Sequence, residues 1–260
     1  MTPDAAGSAP PERERRDDAP DSGSADPADP AAPLSATART VRGAVDPAAA
    51  PLSATAERSD GSAPARALLP DGLRAFTDAA DAAARAHGAR VPTPSSGWDV
   101  RGVVDHVAAQ HARVPQLLGL GTARPAPAGA ALLGPDPRPT WRALAAASTV
   151  AWATAPEDAR VTLAGEDAPA SELAERLLLD LVVHAWDVRA ALAAGRDAGG
   201  RGASEAKGDV GGSGACVEHC LAWVRAHQRL LAGSGRFGTP AEPRSADPLD
   251  QLLALVGRRP

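Results

Sequence analysis

The segment LLLDLVVHAWDVRAA, residues 177–191, places an aspartate, a histidine and a second aspartate in a run otherwise built of Leu, Val and Ala. The apolar spacing reads as a buried helix, and polar groups in such a helix need a partner or a task. Asp180 and His184 are four residues apart, so on a helix they share one face and can converge on a single point. That pairing suits two ligands of a divalent cation, and it equally suits a side-chain pair that only stabilises the helix. Ser171 is placed to cap this helix, which is expected over about 171–194 and closed by Gly195.

Working outward, the 260-residue chain is 44% hydrophobic, with two Phe and no Tyr. An apolar content of mainly Ala, Leu and Val favours close-packed helices over an aromatic-rich sandwich. Lys207 is the single lysine among many arginines, a bias expected of a GC-rich genome such as an actinobacterium's. Residues 1–64 hold 11 acidic and 6 basic side chains, a balance equal to the net charge of −5 for the whole chain. The remainder is therefore close to neutral and carries no basic surface of the kind that binds nucleic acid. No run reaches the roughly 18 apolar residues of a membrane span, and the N-terminus lacks the apolar stretch of a signal peptide. A cytoplasmic location is expected, with Cys216 and Cys220 reduced.

Residues 1–65 are rich in Pro, Ala, Asp, Ser and Gly and are expected to be a disordered arm. Within them PLSATA occurs at 33–38 and again at 51–56, read as a duplicated linker. The globular part, 66–260, is expected to hold helices at Asp71–Ala86, at Trp98 to Pro115 with Asp99 as N-cap, at Trp141–Ala153, at 171–194 and at 215–232. RVTLAG is a candidate short strand before the loop EDAPA, a Gly-rich insert lies near 198–214, and PLDQLLALVG closes the chain as a short apolar turn. The fold class is all-α: a four-helix bundle with long crossing loops.

A third ligand for a cation must come from another helix. His106, mid-way through WDVRGVVDHVAAQ, is the best candidate, because Val103 and Val107 mark its neighbourhood as the inner face. Trp98 followed eight positions later by His106, and HAWD at 184–187 four residues after an acidic side chain, resemble the DinB-like metal-binding bundle. The closer resemblance is to the metal-binding domain of mycothiol-dependent maleylpyruvate isomerases and their actinobacterial relatives. VTLAGEDAPASE is similar to the strand and turn before the last ligand helix, and FGTP with DPLDQLLALVGRRP is similar to the tail of one actinobacterial branch.

The resemblance implies a metal site of His106, Asp180 and His184, with open coordination positions as in a catalytic rather than a structural centre. The isomerase has Glu where this chain has Asp180, a reach shorter by one methylene. Zinc suits two imidazoles and a carboxylate, and nickel accepts the same ligand types. Asp187 and Trp186 are candidates for a supporting shell; Asp187 either accepts the second N–H of a ligand histidine or is a surface charge. The implied activity is a thiol transferase or isomerase that uses a low-molecular-weight thiol, mycothiol in actinobacteria, against a small electrophile. Isomerisation of maleylpyruvate itself is not expected, because the 46 residues from Ala215 to Pro260 are too few for the isomerase's second domain. The alternative is a non-catalytic metal-binding protein with a structural, sensing or partner-binding role.

ACVEHCLAWVRAH offers a rival site, since Cys216, His219 and Cys220 share one helix face. Three ligands from one turn are strained around a tetrahedral ion, and core packing is the expected role of the cysteines. His87, His111 and His227 are expected near helix ends or on outer faces, without a function.

Overall fold

The computed structural model describes residues 64–121, 132–163, 165–198, 213–233 and 237–259. The duplicated PLSATA segments, nearly all of the expected arm and most of the Gly-rich insert lie outside these residues. The described chain forms α1 (Ala65–Arg85), α2 (Val100–Leu117), α3 (Pro137–Thr154), β1 (Arg160–Leu163), β2 (Glu166–Pro169), α4 (Ala170–Ala198), α5 (Gly214–Gly233) and α6 (Pro248–Leu255). This is an all-α bundle with one small two-stranded sheet among the described residues. Helix α1 packs mainly along α4, α2 lies against α3 and α4, and the α5–α6 pair closes one side through contacts to α4 and α1.

Each helix buries the stripe its sequence marks out. On α1, Leu73, Phe76, Ala80 and Ala83 are buried, and on α2, Val100, Val103, Val107 and Val114 are buried. Small residues set the spacing between α1 and α4. A methyl added at Gly72 would stand 3.0 Å from the Leu178 side chain and 3.2 Å from that of Leu181. Phe76 meets Trp141 edge to face with centroids 5.0 Å apart, and the Trp141 indole N–H donates to Thr77 Oγ1 at 2.9 Å.

Capping follows the sequence at the start of α2, where Asp99 accepts from the Gly102 N–H at 2.7 Å. Elsewhere packing moves the boundaries. Helix α1 begins at Ala65, not Asp71, and runs through Pro70. Buried Ala65, Leu68 and Leu69 hold its first turns down. The Arg66 guanidinium also donates to the carbonyls of Trp152, Ala155 and Pro156 at the end of α3, meeting acceptors that a helix C-terminus leaves unpaired. Helix α4 does not stop at Gly195 but continues to Ala198; a helical glycine costs only about 1 kcal/mol and does not by itself end a helix.

Two further expectations are corrected. EDAPA is not a loop: Glu166–Pro169 pairs antiparallel with Arg160–Leu163, with Val161 opposite Ala168, and both of these side chains turn into the core. The closing turn is an eight-residue helix, α6, with Pro248 at its start and the Asp247 carboxylate accepting from the Leu249 and Asp250 N–H groups. It ends in a Schellman arrangement, in which Gly257 N–H donates to Ala254 O at 3.0 Å and Arg258 N–H to Leu253 O at 2.8 Å. Gly257 has φ +77, and a Cβ there would stand 2.5 Å from the Gly238 backbone. The tail and the FGTP segment are therefore pressed together backbone to backbone.

Phe76 has no exposed surface and joins α1 to α3 through Trp141. Phe76→Ala is expected to cost about 3–5 kcal/mol, the range for emptying a buried aromatic site, read as a lower midpoint in urea denaturation with little change in slope.

Candidate metal centre

Asp180 and His184 lie one turn apart on α4, as their spacing requires, and His106 on α2 faces them. The rings of His106 and His184 meet edge to face with centroids 5.3 Å apart. Asp180, His106 and His184 are all half-buried, so the site borders the core without being sealed from solvent.

Gln110, one turn beyond His106, lies between the candidate ligands and is buried. Its side-chain N–H donates to Asp180 Oδ2 at 2.7 Å. The same nitrogen lies 2.6 Å from His106 Nε2. A carboxylate oxygen and an imidazole nitrogen from different helices thus converge on one amide nitrogen, whose hydrogens are the positive end of a dipole. That is the electrostatic position a cation would take. Among the described residues no three His, Cys, Asp or Glu side chains are placed to hold one ion as they stand, and the Gln110 amide nitrogen stands between His106 Nε2 and Asp180 Oδ2. The donor set fits a divalent ion in kind, two imidazoles and one carboxylate, and the approach requires the Gln110 side chain to turn aside.

His184 is oriented from behind. Its Nδ1 lies 2.9 Å from Asp187 Oδ2, which leaves Nε2 as the nitrogen on the other side of the ring. Asp187 has no exposed side-chain surface, and four hydrogen bonds meet its charge. Besides His184, Ser95 Oγ donates at 2.9 Å, and Arg258 donates through Nε at 2.9 Å and Nη2 at 3.0 Å. Burial alone would push this carboxyl up, but the bonds from His184 and Arg258 outweigh it and bring the pKa down to about 2. Trp186 is half-buried and packs on the hydrophobic core. The indole that touches both imidazoles is Trp98, stacked near-parallel on His184 at 6.2 Å and edge-on to His106 at 4.8 Å.

The rival cluster is core. Cys216 and Cys220 are buried, and burial pushes both thiols up, Cys220 well above its ordinary value, the opposite of what a reactive thiol needs. His219 is paired across to Glu175 on α4, with Nε2 and Oε2 2.7 Å apart. An apolar groove of about 340 Å³ between α1 and α3, lined in part by Leu69, Leu73 and Trp152, includes none of the candidate ligands.

Gln110, Ser95, Trp98 and Arg258 were not assigned roles by sequence reasoning. A signal existed for Gln110, since it stands four residues after His106 and so shares its face. His111 is a correction. It is 1% exposed, with Nδ1 2.9 Å from Ser148 Oγ on α3 and its ring against the edge of Trp141. Desolvation lowers its pKa from 6.5 to about 4, opposed by the charge of Asp180.

The comparisons with known proteins place one segment. Residues 69–189 match the family model described as mycothiol maleylpyruvate isomerase N-terminal domain. This span runs from α1 through most of α4 and contains His106, Asp180, His184 and Asp187. No curated protein and no solved structure gives a match.

The buried His111 makes a pH prediction. Its folded pKa lies below the unfolded one, so between about pH 6.5 and 4 the unfolded chain holds a proton that the folded chain does not. Its contribution to stability is therefore intact above pH 6.5 and falls with falling pH through that window, at no more than about 1.4 kcal/mol per pH unit. Denaturation midpoints measured across this range should show a slope that is smaller in His111→Gln.

Proposed function

We infer, from the match of residues 69–189 to the mycothiol maleylpyruvate isomerase N-terminal domain model, that this chain binds a divalent metal ion and uses it on a low-molecular-weight thiol. His106, Asp180 and His184 would hold the ion, zinc being the best match to two imidazoles and a carboxylate, with nickel next. The observation that carries this reading is the convergence of His106 Nε2 and Asp180 Oδ2 on one point beside the His184 ring.

A bound divalent cation would favour thiolate over thiol, lowering a pKa that is about 8.5 for a free cysteine thiol. The protein's own residues supply the rest. Asp187 holds the His184 ring through Nδ1, Trp98 packs against both imidazoles, and the three candidate ligands are half-buried rather than sealed from solvent. The activated thiol, mycothiol or a close relative, would add to a small electrophile, giving a conjugate or, through reversible addition to a conjugated double bond, a cis–trans isomer. No side chain is assigned as general base.

One observation favours the alternative, a metal-binding bundle without catalysis: the Gln110 amide already satisfies His106 and Asp180 together, so the core is complete without a substrate.

Elemental analysis of purified protein tests the reading. About one divalent ion per chain is expected in the wild type, and less than a tenth of that in His184→Ala or His106→Ala; equal metal in wild type and both variants would remove the basis for the site. With metal bound, turnover of a thiol and an electrophilic acceptor that stops on chelation supports the enzyme. Stoichiometric metal without any such turnover supports the non-catalytic role.

A further inference from the structure

The segment that matches the family ends at residue 189, yet the network behind His184 is completed from residue 258. We propose that Arg258, carried by the C-terminal tail, is a positioning residue for His184 that acts through Asp187, so that the tail is a working part of the metal site. This rests on the assignment of His184 as a ligand.

The geometry is built step by step. Asp187 projects from α4 one turn after His184 and is fully buried. A lone carboxylate could rotate about its Cβ–Cγ bond and present either oxygen to the ring. Arg258 removes that freedom, because Nε and Nη2 address the two oxygens separately, at 2.9 and 3.0 Å. A planar guanidinium matched to both oxygens fixes the carboxylate plane as a single-point donor does not. Ser95, from the loop between α1 and α2, closes the ring by accepting from Arg258 Nη2 and donating to Asp187 Oδ2. The oxygen held by Ser95 and Nη2 is also the one facing His184 Nδ1. A ligand histidine needs its proton on the far nitrogen and its lone pair toward the ion, and a fixed carboxylate is the usual means of setting both.

Nor is Arg258 a chance surface contact. Its side chain is 10% exposed, and its own N–H is the second bond of the Schellman arrangement that ends α6. That turn needs the positive φ of Gly257, which is pressed against the Gly238 backbone. Helix α6 is in turn held by the Ala241 N–H donating to Ala254 O at 2.9 Å and by buried Leu252 and Leu253. The chain after the family segment thus places one guanidinium behind one carboxylate.

The test uses the full chain as Arg258→Met, Arg258→Lys and, as a control of equal charge change at an exposed neighbouring position, Arg259→Met. The first readout needs no metal: nitrogen-15 NMR of the histidine rings at about pH 8, where a free imidazole is neutral. In the wild type and in Arg259→Met, His184 should carry its proton on Nδ1; in Arg258→Met the ring should become a mixture of tautomers, with Arg258→Lys between. The second readout is zinc affinity by chelator competition, expected to fall about 10- to 100-fold in Arg258→Met and to be unchanged in Arg259→Met. A folded Arg258→Met with the wild-type tautomer and wild-type zinc affinity would overturn the proposal while leaving the metal site intact. A wild type that binds no zinc would defeat the functional reading instead, and the tautomer measurement alone would then decide the role of Arg258.

Discussion

A carboxylate with no surface left in water must have its charge met inside the protein, and at Asp187 that requirement organises much of the molecule. An uncompensated buried charge costs several kcal/mol. Here the compensation is drawn from three separated parts of the chain: His184 on the same helix, Ser95 in the loop ahead of α2, and Arg258 in the tail. Satisfying one side chain therefore fixes the relative placement of α4, the 92–97 loop and α6. It also settles which face His184 shows to the His106 and Asp180 side chains.

The surrounding bundle is suited to this work because its core is made of small residues. Ala, Val and Leu with few aromatics let helices approach closely, as at Gly72 against α4. Helices held at that distance give polar side chains short, definite paths to one another. The Gln110 amide reaches Asp180 across 70 positions of sequence, and His219 reaches Glu175 across 44. Each buried polar group on α4 thus answers to a partner on another element, which is the condition for keeping such groups in a core.

Much of the fold was legible because local periodicity and packing agree. The stripes on α1 and α2, the Asp99 cap and the face shared by Asp180 and His184 follow from a 3.6-residue repeat. The errors arise where distant contacts decide. The expected start of α1 at Asp71 falls short, because Arg66 bonding to the end of α3 and the burial of Leu68 and Leu69 extend the helix back to Ala65. Ser95 and Arg258 could not be read at all, because nothing local to either marks Asp187 as its partner, 92 and 71 positions away. His111 differs, since its position could have been inferred. It stands four residues after Val107 and three before Val114, both on the inner face, so the spacing that buried those valines also buries the imidazole.

The central claim, that two imidazoles and a carboxylate from α2 and α4 share one ion, is tested most directly by X-ray absorption at the zinc edge of the zinc-loaded protein. Two imidazole ligands at about 2.0–2.1 Å with oxygen completing the shell are expected. Sulfur scattering at about 2.3 Å, which would point to Cys216 and Cys220, or a shell without imidazole, would contradict the account.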